Sequence, residues 1–152
     1  MVDHSLTGIT NYLEITPSLG TAGMPTAAQI KSIADAGYQV VINLALNDSP
    51  GAISDEKELV TSLGMKYIHI PVVWESPQIS DLEQFFKIMQ QLAHHNVLVH
   101  CVLNMRVSVF VYLFRVITLK EDPEVAFQDL LKIWQPDKTW QHLIDTARQE
   151  FR

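Results

Sequence analysis

The sequence predicts an α/β domain: a central, mostly parallel sheet of four or five strands with helices on both faces. Helix and strand patterns alternate from about residue 12 onward, the pattern of strand-helix-strand units. The strand segments are short, apolar and rich in β-branched residues, as expected for strands buried on both faces. No repeat, low-complexity tract or long linker divides the 152 residues, which are expected to form a single domain over 1–152.

Tyr12–Ile15 and Leu19–Met24 read as short initial strands. Thr26 stands where an N-cap belongs, ahead of Ile30, Ile33 and Ala34 at helical spacing, and Gly37 closes that helix. Val40–Ala45 is a buried strand that leaves through the loop Leu46–Ile53. Ser54 is the expected cap of the next helix, with Asp55 and Glu56 as dipole-favoured charges in its first turn and Gly64 at its end. Tyr67–Val73 follows as a strand, then the polar loop Trp74–Ile79. Ser80 opens a long amphipathic helix carrying Leu82, Phe85, Phe86, Met89, Leu92 and Ala93, and Asn96 closes it.

Val97–His100 is the shortest and most apolar strand and is expected at the centre of the sheet. From Arg106 to Leu119 nearly every position is apolar, which predicts a core helix buried almost all round. Pro123 enters one further helix, and Trp140, Leu143, Ile144, Ala147 and Phe151 mark the inner face of the last.

Hydrophobic residues make up 47% of the chain and charged ones 18%, the balance of a globular protein rather than a disordered one. Eleven Lys and Arg against seventeen Asp and Glu leave a net charge of −6, which argues against nonspecific binding of nucleic acid or an anionic membrane surface. Any anion site must therefore be local. No leader-like N-terminal segment and no unbroken apolar window of about 18 residues is present, so a cytoplasmic protein is expected. A single cysteine excludes an internal disulfide and a thiolate-based structural zinc site, and leaves one thiol to explain.

That thiol, Cys101, stands where a strand runs into a buried helix: His100-Cys101-Val102-Leu103-Asn104-Met105-Arg106-Val107-Ser108. Open α/β sheets bind ligands at the carboxyl ends of their strands. The N–H groups of Val102, Leu103, Asn104, Met105, Arg106 and Val107 are candidates for an anion cradle, and both that cradle and the helix dipole favour a thiolate, the nucleophilic form. Arg106 offers a bidentate fork for a tetrahedral oxyanion, and Ser108 a hydroxyl to hydrogen-bond the sulfur. Asn104, Arg106 and Ser108 interrupt an apolar stretch about to be buried, which is costly unless they have partners. His100 is read as a hydrogen bonder that shapes the loop.

The order of Thr21-Ala22-Gly23-Met24-Pro25, Ala36-Gly37-Tyr38, Val41-Ile42-Asn43-Leu44, Leu63-Gly64-Met65, His69-Ile70-Pro71-Val72 and His100-Cys101 resembles a bacterial phosphatase-like family related to dual-specificity and tyrosine cysteine-dependent phosphatases. The resemblance spans about residues 15 to 119 and implies a (phosphotyrosine protein phosphatase)-like fold. It further implies attack of Cys101 on phosphorus, a phosphocysteine intermediate, no cofactor or metal, and a phosphate-bearing substrate, with protein phosphotyrosine or phosphoserine among the candidates. Relatives carry His-Cys-x5-Arg-Ser/Thr with glycine three residues after the cysteine. Here Asn104 takes the glycine's place, Val107 the arginine's, and Arg106 comes one residue early. Asparagine tolerates the left-handed conformation. A one-residue shift on a helix, by contrast, rotates a side chain by about 100°. Arg106 is nevertheless expected to face the cradle, with Val107 turned into the core beside Phe110 and Phe114. Relatives place an aspartate acid on the loop before the cysteine strand; here Glu75 is the candidate to protonate the leaving oxygen.

The Cys-x4-Arg spacing is also similar to the active loop of rhodanese-type sulfurtransferases, so a Cys101 persulfide is an alternative. A catalytically dead oxyanion- or phosphoprotein-binding module is another. Asp81 is read as a helix-dipole residue, Asp48 and Asp55 as turn and cap residues, His69 as a satisfied core histidine, and His94 and His95 as solvent-facing residues at a helix end.

Overall fold

The computed structural model describes residues 4–151; the first positions of the N-terminal stretch read above for a leader lie outside them. Five strands form one sheet in the order β1-β2-β5-β3-β4: β1 Leu13–Thr16, β2 Leu19–Ala22, β3 Val40–Asn43, β4 Lys66–His69 and β5 Val97–His100. β1 and β2 are antiparallel and every other pair is parallel. As expected, β5 is central. Parallel pairing places Ala22, Asn43 and His100 level with one another, and His69 level with Asn43. The loops leaving these four strands therefore meet at one end of the sheet.

Alternation along the strands builds a core on each face. Val41 and Leu98 face Ile30 and Ile33 of α2 (Ala27–Asp35) and Val60 of α3 (Glu56–Ser62), joined by Leu6 and Ile9 from and after the short α1 (His4–Thr7). Val40, Ile42, Val97 and Val99 face the larger core, which takes in α4 (Ile79–Gln91), α5 (Met105–Leu113), α6 (Pro123–Leu131) and α7 (Lys138–Glu150). All nine residues of α5 but the first are buried, as a helix enclosed on all sides requires. Among the described residues no helix is long and apolar enough to cross a membrane.

Thr26 caps α2 through a reciprocal box with Gln29. Several boundaries differ from the sequence expectation: β2 ends at Ala22, β3 at Asn43 and β4 at His69, each before the end of its apolar run, and α4 ends at Gln91, before Asn96. α3 is preceded by Asp55 rather than capped by Ser54, no side chain caps it, and Glu56 is buried. α4 starts at Ile79, one residue before Ser80, and the Asp81 carboxylate accepts the Gln78 N–H at 3.1 Å. Burial pushes the Asp81 carboxyl up, against that hydrogen bond. The expected core helix Arg106–Leu119 is α-helical only to Leu113; Phe114–Thr118 widens into a π-helix, and Lys120 at φ 58 turns the chain away.

Candidate active site

β5 delivers Cys101 to the centre of the strand ends, where its N–H donates to the Ala22 carbonyl at 3.3 Å. The thiol is free, and the residue is 1% exposed. The carbonyls that follow are all engaged away from the loop. The Cys101 carbonyl accepts from His100 Nδ1 (3.2 Å), that of Val102 from the Met24 N–H (2.9 Å), and that of Leu103 from Asn11 Nδ2 (3.0 Å). Those of Asn104 and Met105 accept from the Ser108 N–H (2.8 Å) and hydroxyl (2.7 Å). Among the described residues, by contrast, no N–H from Val102 through Val107 donates to any protein group. Consecutive N–H donors without a protein acceptor are thus left at the start of α5, directly after the thiol.

The loop reaches this shape because Asn104 adopts φ 67, the left-handed conformation asparagine tolerates. Its Nδ2 donates to the Asn11 carbonyl (2.8 Å) and to Thr21 Oγ1 (3.0 Å), while its Oδ1 is buried without a partner. Asn11, itself at φ 50, returns a hydrogen bond to Leu103, so two left-handed asparagines clasp the loop to the N-terminal segment. Gly23 permits the close approach on the same side; a Cβ there would strike the Val102 carbonyl.

Arg106 is 7% exposed, and its Nη1 donates to the Val72 carbonyl at 3.0 Å. No carboxylate of the described residues pairs with it, and its remaining nitrogens keep contact with the surface. Val72 continues the backbone of β4, two strands from β5, so the guanidinium lies over the strand ends. A nearly buried guanidinium without a counter-charge is costly, and an anion relieves that cost. Val107 is fully buried in the core cluster that holds Phe110 and Phe114.

Beneath the loop lies a buried polar chain. His100 Nε2 stands 2.6 Å from Glu56 Oε2, and Asn43 Nδ2 approaches Glu56 Oε1 at 3.4 Å and Tyr67 Oη at 3.1 Å. Burial pushes the Tyr67 phenol up, the Asn43 hydrogen bond opposes this, and the charge of Glu56 adds to it. Because a carbonyl only accepts, Nδ1 of His100 carries the proton that holds Cys101 in place.

A family profile described as "DSP-PTPase phosphatase fused to NAD+ Kinase" matches residues 13–143. The chain belongs to this DSP-PTPase-like family. It is 34% identical to the "Putative phosphatase (DUF442)" of Shewanella putrefaciens CN-32, with a TM-score of 0.86 and 97% of each chain covered. Two more distant structures share the fold. Tk-PTP in its active form has a TM-score of 0.77 at 12% identity, covering 91% of this chain and 97% of its own. P. aeruginosa TpbA, a Cys-to-Ser variant in complex with pTyr, has 0.72 at 15%, covering 99% and 93%. No curated protein matches the chain.

Of the residues singled out in sequence, Cys101 and the N–H groups of Val102 to Val107 share one loop at the end of β5, His100 bonds the Cys101 carbonyl, and Arg106 bonds the Val72 carbonyl beyond β4. It does not bring Ser108 to the sulfur through a hydrogen bond: the hydroxyl donates to Met105 and accepts from Trp134 Nε1 at 3.0 Å. Ser108 lies in the first turn of α5, where its hydroxyl donates to the i−3 carbonyl. Glu75 is exposed in the loop after β4 and lines a cleft of about 490 Å³ with Gln78, Lys138 and His142, whose lining does not include Cys101. The same loop is anchored at Trp74, whose ring packs on Trp134 (5.3 Å) and Trp140 (5.4 Å) and whose carbonyl accepts from Trp140 Nε1.

Among the described residues no group of three or more His, Cys, Asp or Glu is placed to hold a metal ion. His69 is satisfied by the Ala45 carbonyl at 2.6 Å. Glu56, Asn43, Asn11 and Thr21 escaped the sequence reading. Only Asn43 carried a signal, a polar residue closing an apolar strand; the other three bond His100, Leu103 and Asn104, each more than 40 residues away in sequence.

Proposed function

We propose that this protein hydrolyses phosphomonoesters through a phosphocysteine intermediate. One observation supports the reading: N–H groups without a protein acceptor, Val102 to Val107, follow the sole cysteine, and the nearly buried Arg106, bonded to the Val72 carbonyl beyond β4, has no carboxylate partner among the described residues. Donors of that kind match the equatorial oxygens of a transferring phosphoryl group.

In the proposed reaction the Cys101 thiolate attacks phosphorus. An S–P bond forms as the ester P–O bond breaks, and the leaving oxygen takes a proton. Glu75 is the carboxyl group proposed to give that proton. Water then attacks the phosphocysteine and gives a proton back to Glu75 as the S–P bond breaks, which releases phosphate and restores the thiolate and the acid. The Glu56–His100 pair holds the Cys101 carbonyl, and with it the direction of the N–H groups that follow. Ser108 serves this reading by tying the first turn of α5 to Trp134.

The test uses the whole chain with 4-nitrophenyl phosphate. Hydrolysis should proceed in the presence of EDTA and disappear in Cys101→Ser. Turnover that survives this substitution refutes the nucleophile. Thiocyanate formed from thiosulfate and cyanide, with a persulfide on Cys101, makes the protein a sulfurtransferase instead, and tight vanadate binding without turnover makes it a binding module.

A further inference from the structure

Because β2, β5, β3 and β4 run parallel, their exit segments 23–26, 101–104, 44–55 and 70–78 converge on the end of the sheet that holds Cys101. These four segments contain no lysine or arginine, but three acids, Asp48, Asp55 and Glu75, all exposed. Arg106 is thus the only cation among the elements that form the cradle. The nearest others in the chain order of this end, Lys57 and Lys138, stand on the first turns of α3 and α7, and Lys138 shares its cleft with Glu75. Two apolar side chains are also exposed at this end. Leu103, within the loop, is 45% exposed, and Val73, next to the residue that holds Arg106, is 43% exposed.

One guanidinium and a nest of N–H groups balance one phosphoryl group. A second anion on the same molecule would meet carboxylates in place of a counter-charge, and like charges brought together are a means of rejecting a ligand. Cys101 is also buried, so the phosphoryl group must project from its carrier.

We infer that the site takes a single phosphoryl group from an uncharged or cationic carrier with apolar surface, a phosphomonoester of a phenol or apolar alcohol, and rejects carriers with a second phosphate or acidic flanks. This inference names the substrate class of the phosphatase reading above and rests on it.

The experiment compares short phosphotyrosine peptides that differ only in their flanks, alanine, lysine or glutamate, with 1-naphthyl phosphate as the uncharged reference. At low ionic strength kcat/KM for the alanine and lysine peptides should exceed that for the glutamate peptide by about tenfold or more. The gap should narrow as salt rises towards about 0.5 M. Asp48→Lys should speed the glutamate peptide while leaving 1-naphthyl phosphate unchanged. Equal or faster hydrolysis of the glutamate peptide overturns the inference, as does an Asp48→Lys variant that changes nothing. If no ester is turned over, the phosphatase reading fails, and the charge rule is then read from binding of the same peptides to Cys101→Ser. A preference for alanine and lysine flanks upholds it there; equal or absent binding overturns it too.

Discussion

The Glu56–His100 contact under the loop sets up the most direct test of how the site is held. Both residues are almost fully enclosed, at 4% and 0% side-chain exposure. Nδ1 of His100 is committed to the Cys101 carbonyl, so the 2.6 Å contact between Nε2 and Oε2 must hold a proton of its own. Glu56→Ala strands Nε2 in the interior and takes one acceptor from Asn43. Breaking a buried pair from one side costs about 3–5 kcal/mol, a large part of the ~5–15 kcal/mol that holds a domain together. With a urea m-value of about 2 kcal/mol/M, the unfolding midpoint should fall by about 2 M. Glu56→Gln keeps the volume, and its amide can donate to the neutral imidazole, so the loss should shrink to about 1 kcal/mol. Urea unfolding followed by tryptophan fluorescence reads both variants, since the three tryptophans form one cluster whose Trp134 is bonded to α5. An alanine variant within about 1 kcal/mol of the parent would refute the argument, for an enclosed, hydrogen-bonded imidazole cannot lose its partner that cheaply.

Three further outcomes are expected. Arg106→Ala should weaken phosphate or vanadate binding at least about tenfold, the loss of a charge-assisted contact of about 1.5–3 kcal/mol, with the fold retained by circular dichroism. Asn104→Ala should be about 1–2 kcal/mol less stable than Asn104→Gly in thermal unfolding, because both lose the same hydrogen bonds and only alanine resists φ 67. Asp129 is pushed up by burial but held below the usual carboxylate range by hydrogen bonds from Arg115 (2.6 Å) and Lys132 (2.9 Å). Its contribution is therefore present above the unfolded-state value of about 3.9 and lost as pH falls through the depressed folded value. Asp129→Asn should accordingly be less stable than the parent at pH 7, with a gap that closes under acid in urea titrations.

Much of the fold was legible in residue order. Short continuous apolar strands, the Thr26 cap, the stops at Gly37 and Gly64 and the largely apolar α5 are local signals, and local backbone preference with burial is enough to set them. The loop at Cys101 was legible for the same reason. Three polar residues break an apolar run there, and Asn104 takes the left-handed turn its side chain allows. What residue order left open is what faces what across the sheet. Glu56 reads in sequence as an ordinary first-turn acid. Only the adjacency of β3 and β5 sets the start of α3 over His100, 44 residues away, and turns that acid into a buried partner. Arg106 lies one residue from the place its relatives would suggest, and only the packing of α5 on the strand ends settles that its guanidinium bonds the backbone beyond β4. Helix and strand form on contacts a few residues apart, whereas a site at the ends of parallel strands is assembled from loops whose meeting depends on strand order, which no local preference encodes.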